Sequence, residues 1–235
     1  MQRVLFLINT LTGGGAEKVL LDIVNNMDYT KYDITLQTIF DIGVYRSQIH
    51  NNVKYKAIFK IKHTLQTKVY NFYLYNCDNL KKFYKKYIDE NYDIEVAFLE
   101  GIPTKILAAS SNPNKFAWVH TDLYNYYGQT KMFRSVQENA ECYKRFKKIF
   151  CVSQSAKEGF KRRFGFDENV EVLYNPVDEK NIRNRANEPI TEIKLNDKFK
   201  IITVGRLDYQ KGYDRLLRVH KRLQNEGYEY ELWIL

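Results

Sequence analysis

Val4-Leu-Phe-Leu-Ile8, then Asn9-Thr-Leu-Thr-Gly-Gly-Gly15, then Ala16-Glu-Lys-Val-Leu-Leu-Asp-Ile-Val24 is the stretch that decides the fold. The first segment is apolar at every position, the pattern of a strand buried on both faces. The glycines break it. From Ala16 onward Val19, Leu20, Ile23, Val24 and Met27 recur at helical spacing, while Glu17, Lys18 and Asp22 keep to the other side. Strand, glycine turn and helix in this order open a doubly wound α/β domain.

The same alternation continues outward. Residues 32–40, 53–59, 94–99, 116–119, 149–152 and 170–173 read as further strands. Residues 69–88 read as one helix, Pro103 as the start of another, and 132–146 as a third. Ser153 or Ser155 caps a basic helix that runs to Phe164. Composition changes after Asn175-Pro-Val-Asp178, and the charged, asparagine-rich residues 179–198 read as a linker. A strand at 199–204, a turn, a helix at 212–226 and a strand at 230–235 then make one βαβ unit. The organisation expected is thus an α/β domain over 1–178, a linker over 179–198 and the beginning of a second Rossmann-like domain over 199–235. Two parallel strands and one crossover cannot bury both faces of their sheet.

With 235 residues, 44% of them hydrophobic and 15% aromatic, the chain can pack a core, which argues against wholesale disorder. Lys and Arg outnumber Asp and Glu by 37 to 28, a surplus that favours an anionic partner. Cys77, Cys142 and Cys151 are odd in number and lack C-x-x-C spacing, so reduced thiols in a cytoplasmic protein are expected. The apolar run at the amino terminus is too short for a signal peptide, and no stretch approaches the length of a membrane span. Two basic clusters, Lys144, Arg145, Lys147 and Lys148, and Lys157, Lys161, Arg162 and Arg163, read either as solvated helix faces or as surfaces that dock to acidic lipid of the inner leaflet. The latter would make the protein peripheral on the inner face of the cell membrane. No helix-turn-helix, zinc-finger or RNP-like pattern accompanies the charge, so nucleic acid is not expected as a partner.

Four places can carry chemistry. The glycines from Gly13 to Gly15, with Gly14 and Gly15 opening a helix, let the main chain approach a ligand and aim first-turn amides at an anion. Arg206 leaves a strand and Lys211 follows beside Gly212, so the two can neutralise a diphosphate, unless Asp208 pairs with Lys211 in an ordinary surface turn. His120 and Glu100 each end a predicted buried strand, where open α/β sheets bind ligands. No metal-ligand motif and no G-x-S-x-G elbow is present.

Gly13-Gly-Gly-Ala-Glu-Lys-Val-Leu, Cys151-Val-Ser-Gln-Ser, Val172-Leu-Tyr-Asn-Pro-Val-Asp178 and Val204-Gly-Arg-Leu-Asp-Tyr-Gln-Lys-Gly212, in this order, resemble the retaining GT-B glycosyltransferases of the group 1, family 4 type. The resemblance implies two Rossmann-like domains facing across a deep cleft, a nucleotide-sugar donor, UDP-linked, as substrate, no metal or other cofactor, and a glycan or lipid-linked acceptor in cell-envelope or capsular polysaccharide synthesis. It also implies roles. Gly14 and Gly15 approach the donor, Arg206 and Lys211 hold its diphosphate, and His120 is the catalytic histidine near the transferred sugar. Glu100 is a candidate on the acceptor side, and Ser153 and Asn175 shape the cleft and hinge and do no chemistry. The family's E-x7-E motif is missing from these residues, so the expectation is that the second domain is incomplete and the chain poorly active alone. The alternative is a non-catalytic or split-enzyme module that needs a partner chain. A nucleotide-binding dehydrogenase is disfavoured by the consecutive glycines and by the lack of a convincing acidic residue after the second strand.

Overall fold

The computed structural model describes residues 1–61, 63–77, 79–88, 91–126, 131–191 and 196–235. Residue 78 of the predicted helix and residues 192–195 of the predicted linker lie outside them. The chain divides into two compact units, Met1–Asp178 and Glu179–Leu235.

The first unit is a seven-stranded, wholly parallel sheet. Its strands are β1 (Gln2–Ile8), β2 (Tyr32–Phe40), β3 (Lys54–Phe59), β4 (Ile94–Ala97), β5 (Lys115–Val119), β6 (Lys148–Cys151) and β7 (Val170–Val172), in the order β3-β2-β1-β4-β5-β6-β7. The order reverses between β1 and β4, which pair in register from Val4–Ile94 to Leu7–Ala97. Among the described residues six α-helices cover the sheet: α1 (Gly15–Asn26), α2 (Thr64–Asn76), α3 (Leu80–Tyr87), α4 (Ile102–Leu107), α5 (Val136–Tyr143) and α6 (Gln154–Phe164). The apolar run of β1 is explained by its two faces. Leu5 and Leu7 enter one core with Phe83, Ile106, Tyr143 and Phe160, while Val4, Phe6 and Ile8 enter a second with Leu20, Val24, Phe98 and Trp118. Each such side chain contributes about 1.5–3 kcal/mol by leaving water.

Two helices differ from the sequence reading. The periodic stretch at 69–88 is two helices, because the Asn79 side chain accepts a hydrogen bond from the Lys82 N–H and so starts α3 afresh. Helix α5 begins four residues later than periodicity suggests, since the Ser135 hydroxyl caps it through the Glu138 N–H. For α6 the cap is Ser153, which accepts from the Ala156 N–H at 3.1 Å.

The second unit holds α7 (Glu179–Ala186), β8 (Lys200–Thr203), α8 (Tyr213–Asn225) and β9 (Glu231–Ile234), with β8 and β9 parallel. Helix α7 occupies part of the stretch read as a linker and buries no residue. Tyr213 is the one buried large apolar side chain among the described residues of this unit, and Ile202, Leu217 and Val219 stay exposed. Two strands and one helix lack the partners to cover them.

Candidate functional site

In a doubly wound sheet the loops leaving the carboxyl ends diverge where strand order reverses, and a crevice opens there. Here that place lies beyond β1 and β4. The loop after β1 turns at Gly13, whose φ of +109° is a left-handed conformation that glycine adopts without strain. The loop is organised by Glu17, on the first turn of α1. Its carboxylate accepts from the Thr10 hydroxyl at 2.8 Å, the Thr12 hydroxyl at 3.1 Å, the Thr12 N–H at 3.3 Å and the Gly14 N–H. The carboxylate thus sits where the helix dipole favours negative charge.

Gly14 and Gly15 therefore differ in role. The Gly14 amide, read from the sequence as free to meet an anion, is already taken by Glu17. A Cβ at Gly14 would also strike the Glu17 carboxylate at Oε2. At Gly15 a Cβ would meet nothing within 4 Å, so this missing side chain leaves open space over the helix start. Amides of the first helical turn have no intrahelical acceptor, as at any helix start.

Glu100 and His120, which follow β4 and β5, form one assembly. Glu100 is fully buried, and its Oε1 accepts from the His120 N–H at 2.7 Å, the Thr121 N–H at 2.8 Å and the Thr121 hydroxyl at 3.0 Å. Burial raises its pKa, and the bonds from His120 and Thr121 oppose the rise. It holds the main chain that carries His120 and does not present a surface carboxylate. The His120 ring lies 4.9 Å from that of Phe98 and stacks at 6.4 Å on Trp118. Burial lowers the His120 pKa to about 4, against a hydrogen bond to the Phe98 main chain. The Phe98 N–H already donates to the Leu7 carbonyl, so the ring donates to the Phe98 carbonyl. Nε2 is buried without a protein partner. At neutral pH this is an uncharged imidazole with its Nε2 lone pair free to accept a proton or a hydroxyl.

In the second unit Arg206 and Lys211 lie in the turn that follows β8. The Lys211 stem lies 3.6 Å from the Cβ position of Gly205, which precedes Arg206. Tyr213 fixes the turn by donating to the Gly205 carbonyl at 3.0 Å. Asp208 is not paired with Lys211; its side chain caps the turn through the Gln210 N–H at 3.3 Å. Both cations are exposed and free of ion pairs among the described residues.

The sequence reading missed Glu17, Thr10 and Thr121. Glu17 was detectable, because an acid three residues after a helix N-cap is a capping signal. Thr121 was not, since its partner is 21 residues away. Asp41 does follow β2, but its carboxylate is engaged by Arg46 and by the Tyr55 hydroxyl, both at 2.9 Å. The three cysteines are free thiols, and burial pushes Cys151 up to about 12. In the basic clusters Lys144 pairs with Glu141, Lys148 with Glu171 and Lys161 with Asp167.

Residues 13–181 match the sequence profile of Glycosyltransferase Family 4. The chain belongs to that family. Solved structures share the fold. Anabaena HepE in complex with UDP-glucose superposes with a TM-score of 0.61 at 15–17% identity across its complexes, covering 100% of this chain and 69% of that one. Staphylococcus aureus TarM, in complex with Fondaparinux, alpha-GlcNAc-glycerol and UDP, gives 0.61 at 9% identity, covering 100% of this chain and 72% of that one. These likenesses establish the GT-B fold type. In sequence, 56 residues are 45% identical to the N-acetylgalactosamine-N,N'-diacetylbacillosaminyl-diphospho-undecaprenol 4-alpha-N-acetylgalactosaminyltransferase of Campylobacter jejuni, and span 24% of this chain and 14% of that relative.

Proposed function

We propose that this chain is a glycosyltransferase that moves a sugar, with retention, from a UDP-linked donor to a glycan or lipid-linked acceptor in envelope or capsular polysaccharide synthesis. The observation that carries the reading is family membership over residues 13–181. The choice of UDP is supported by the complexes of HepE and TarM, and a lipid-linked acceptor by the name of the Campylobacter relative.

Breaking a glycosyl–phosphate bond builds negative charge on the leaving diphosphate and positive charge on the sugar. In this reading Arg206, as a planar fork, and Lys211, as a mobile point charge, stabilise the diphosphate, and no cofactor is invoked. The open space at Gly15 admits the donor to the amides of α1. His120 touches the transferred sugar through Nε2, accepting a hydroxyl proton in a hydrogen bond, and Glu100 acts as a positioning residue that fixes the His120 main chain. Retention follows when the acceptor hydroxyl attacks from the face the phosphate leaves, with a phosphate oxygen taking its proton. The basic helices would hold the protein at acidic lipid on the inner leaflet.

The test is UDP binding by calorimetry together with UDP release from UDP-sugars in the presence of lipid-linked and glycan acceptors. Binding that weakens with Arg206→Ala, and acceptor-dependent release, are expected. Failure of the wild-type protein to bind any nucleoside diphosphate or its sugar conjugates would overturn the reading.

A further inference from the structure

A cavity of about 380 Å³ lies at the opposite, amino-terminal edge of the first unit's sheet. Its lining includes Lys81 and Lys85 from α3, Lys115 at the start of β5, and Arg145 just before β6, with Ser110 and Ser111 beside them. These cations come from three separate parts of the chain. Lys81 and Lys85 are four residues apart and so share a helix face. Both are exposed and form no ion pair among the described residues. Arg145 donates to the Ala108 carbonyl at 3.4 Å and forms no ion pair among the described residues.

Lys115 is the unusual member, because it is buried. Its ammonium donates to the Ser110 carbonyl, and the Tyr84 hydroxyl, at the same wall, donates to the buried carboxylate of Glu95. Burial lowers the Lys115 pKa, the charge of Glu95 opposes this, and the guanidinium of Arg145 adds to it. Burial in turn raises that of Glu95. The lining of the cavity thus carries four cations, with the buried Glu95 carboxylate acting on Lys115 from behind the wall. Gathering like charges around a concave space costs energy unless an anion joins them.

We propose that this cavity binds a phosphate group. Lys81, Lys85 and Arg145 close on its oxygens at the mouth, the Ser111 hydroxyl donates to it, and Lys115 supplies fixed charge from the floor. The site is distinct from the one at Gly15 and His120, because β5 runs from Lys115 to Val119, about 13 Å at the rise of a strand. It does not depend on the proposed transferase activity.

The experiment is calorimetric titration of the purified chain with inorganic pyrophosphate, compared across wild type, Lys81→Gln/Lys85→Gln and Arg206→Gln/Lys211→Gln. The α3 variant is expected to lose at least one tenfold step in affinity at this cavity while UDP binding stays unchanged. The Arg206/Lys211 variant is expected to keep that pyrophosphate binding and lose UDP. Pyrophosphate binding that is unchanged in the α3 variant, or that vanishes with Arg206 and Lys211, overturns the proposal. Sedimentation with vesicles of phosphatidic acid in phosphatidylcholine identifies the source. Loss of co-sedimentation in the α3 variant assigns a lipid phosphate, and pyrophosphate binding without co-sedimentation assigns a soluble one.

Discussion

Replacing His120 by glutamine should remove a defined piece of the protein's pH dependence. In the folded chain the His120 pKa falls from 6.5 to about 4, principally because burial disfavours the imidazolium. Above pH 6.5 the ring is neutral in both folded and unfolded chains. As pH falls below 6.5 the unfolded ring takes a proton that the folded ring refuses, so stability is lost with acidification and the loss levels off below about pH 4. At 1.36 kcal/mol per unit the full effect is about 3 kcal/mol, of which about 2 kcal/mol is reached by pH 5. Glu95 and Glu100, whose pKa values burial raises, act with the opposite sign, losing stability as pH rises above the ordinary carboxylate range. Their contribution is common to both proteins and cancels in the difference. Urea unfolding of the first unit can be followed by Trp118 emission in a Trp233→Phe background, because Trp118 is buried beside His120. Between pH 7.5 and pH 5 the wild type should lose about 2 kcal/mol more than His120→Gln. Parallel stability curves would refute the neutral, buried imidazole on which the site's chemistry rests.

Gly15→Val should lower UDP affinity at least tenfold while leaving unfolding free energy nearly unchanged, since its side chain enters open space. Gly14→Val should instead dislodge Glu17 and cost about 1 kcal/mol of stability, the scale of a lost helix cap, measurable in urea. Lys211→Ala should weaken UDP binding by about 1–3 kcal/mol in calorimetry, the range for charge-assisted hydrogen bonds, with no change in the melting transition. Glu100→Ala strips the acceptor from two N–H groups and a hydroxyl and should destabilise by about 3 kcal/mol or more, whereas Glu100→Gln keeps an acceptor oxygen and should cost less in the same thermal scan.

The outline of the fold was legible because its signals are local. The apolar run at Val4–Ile8 reports burial on both sheet faces within the strand itself, and Ser153 caps α6 through an amide three residues away. Element ends were less legible. Helical periodicity passes smoothly through 69–88, and only the capping chemistry of Asn79 divides it. The glycine loop was visible as a break, but which of its amides remain available depended on where the Glu17 carboxylate came to rest.

By itself, then, the sequence determined the alternation of strands and helices, the place of the glycine turn, the start of α6 and the excess of positive charge, because each is set by residues within a turn or two of one another. The tertiary structure alone decided that Glu100 grips the main chain at His120 and Thr121, that the His120 ring is held neutral, and that Lys81, Lys115 and Arg145 converge on one cavity. These partners are brought together by strand pairing across the sheet and, for Lys81, by the packing of α3 on α4. Burial, which sets their charge states, is a property of the packed molecule and of no segment within it.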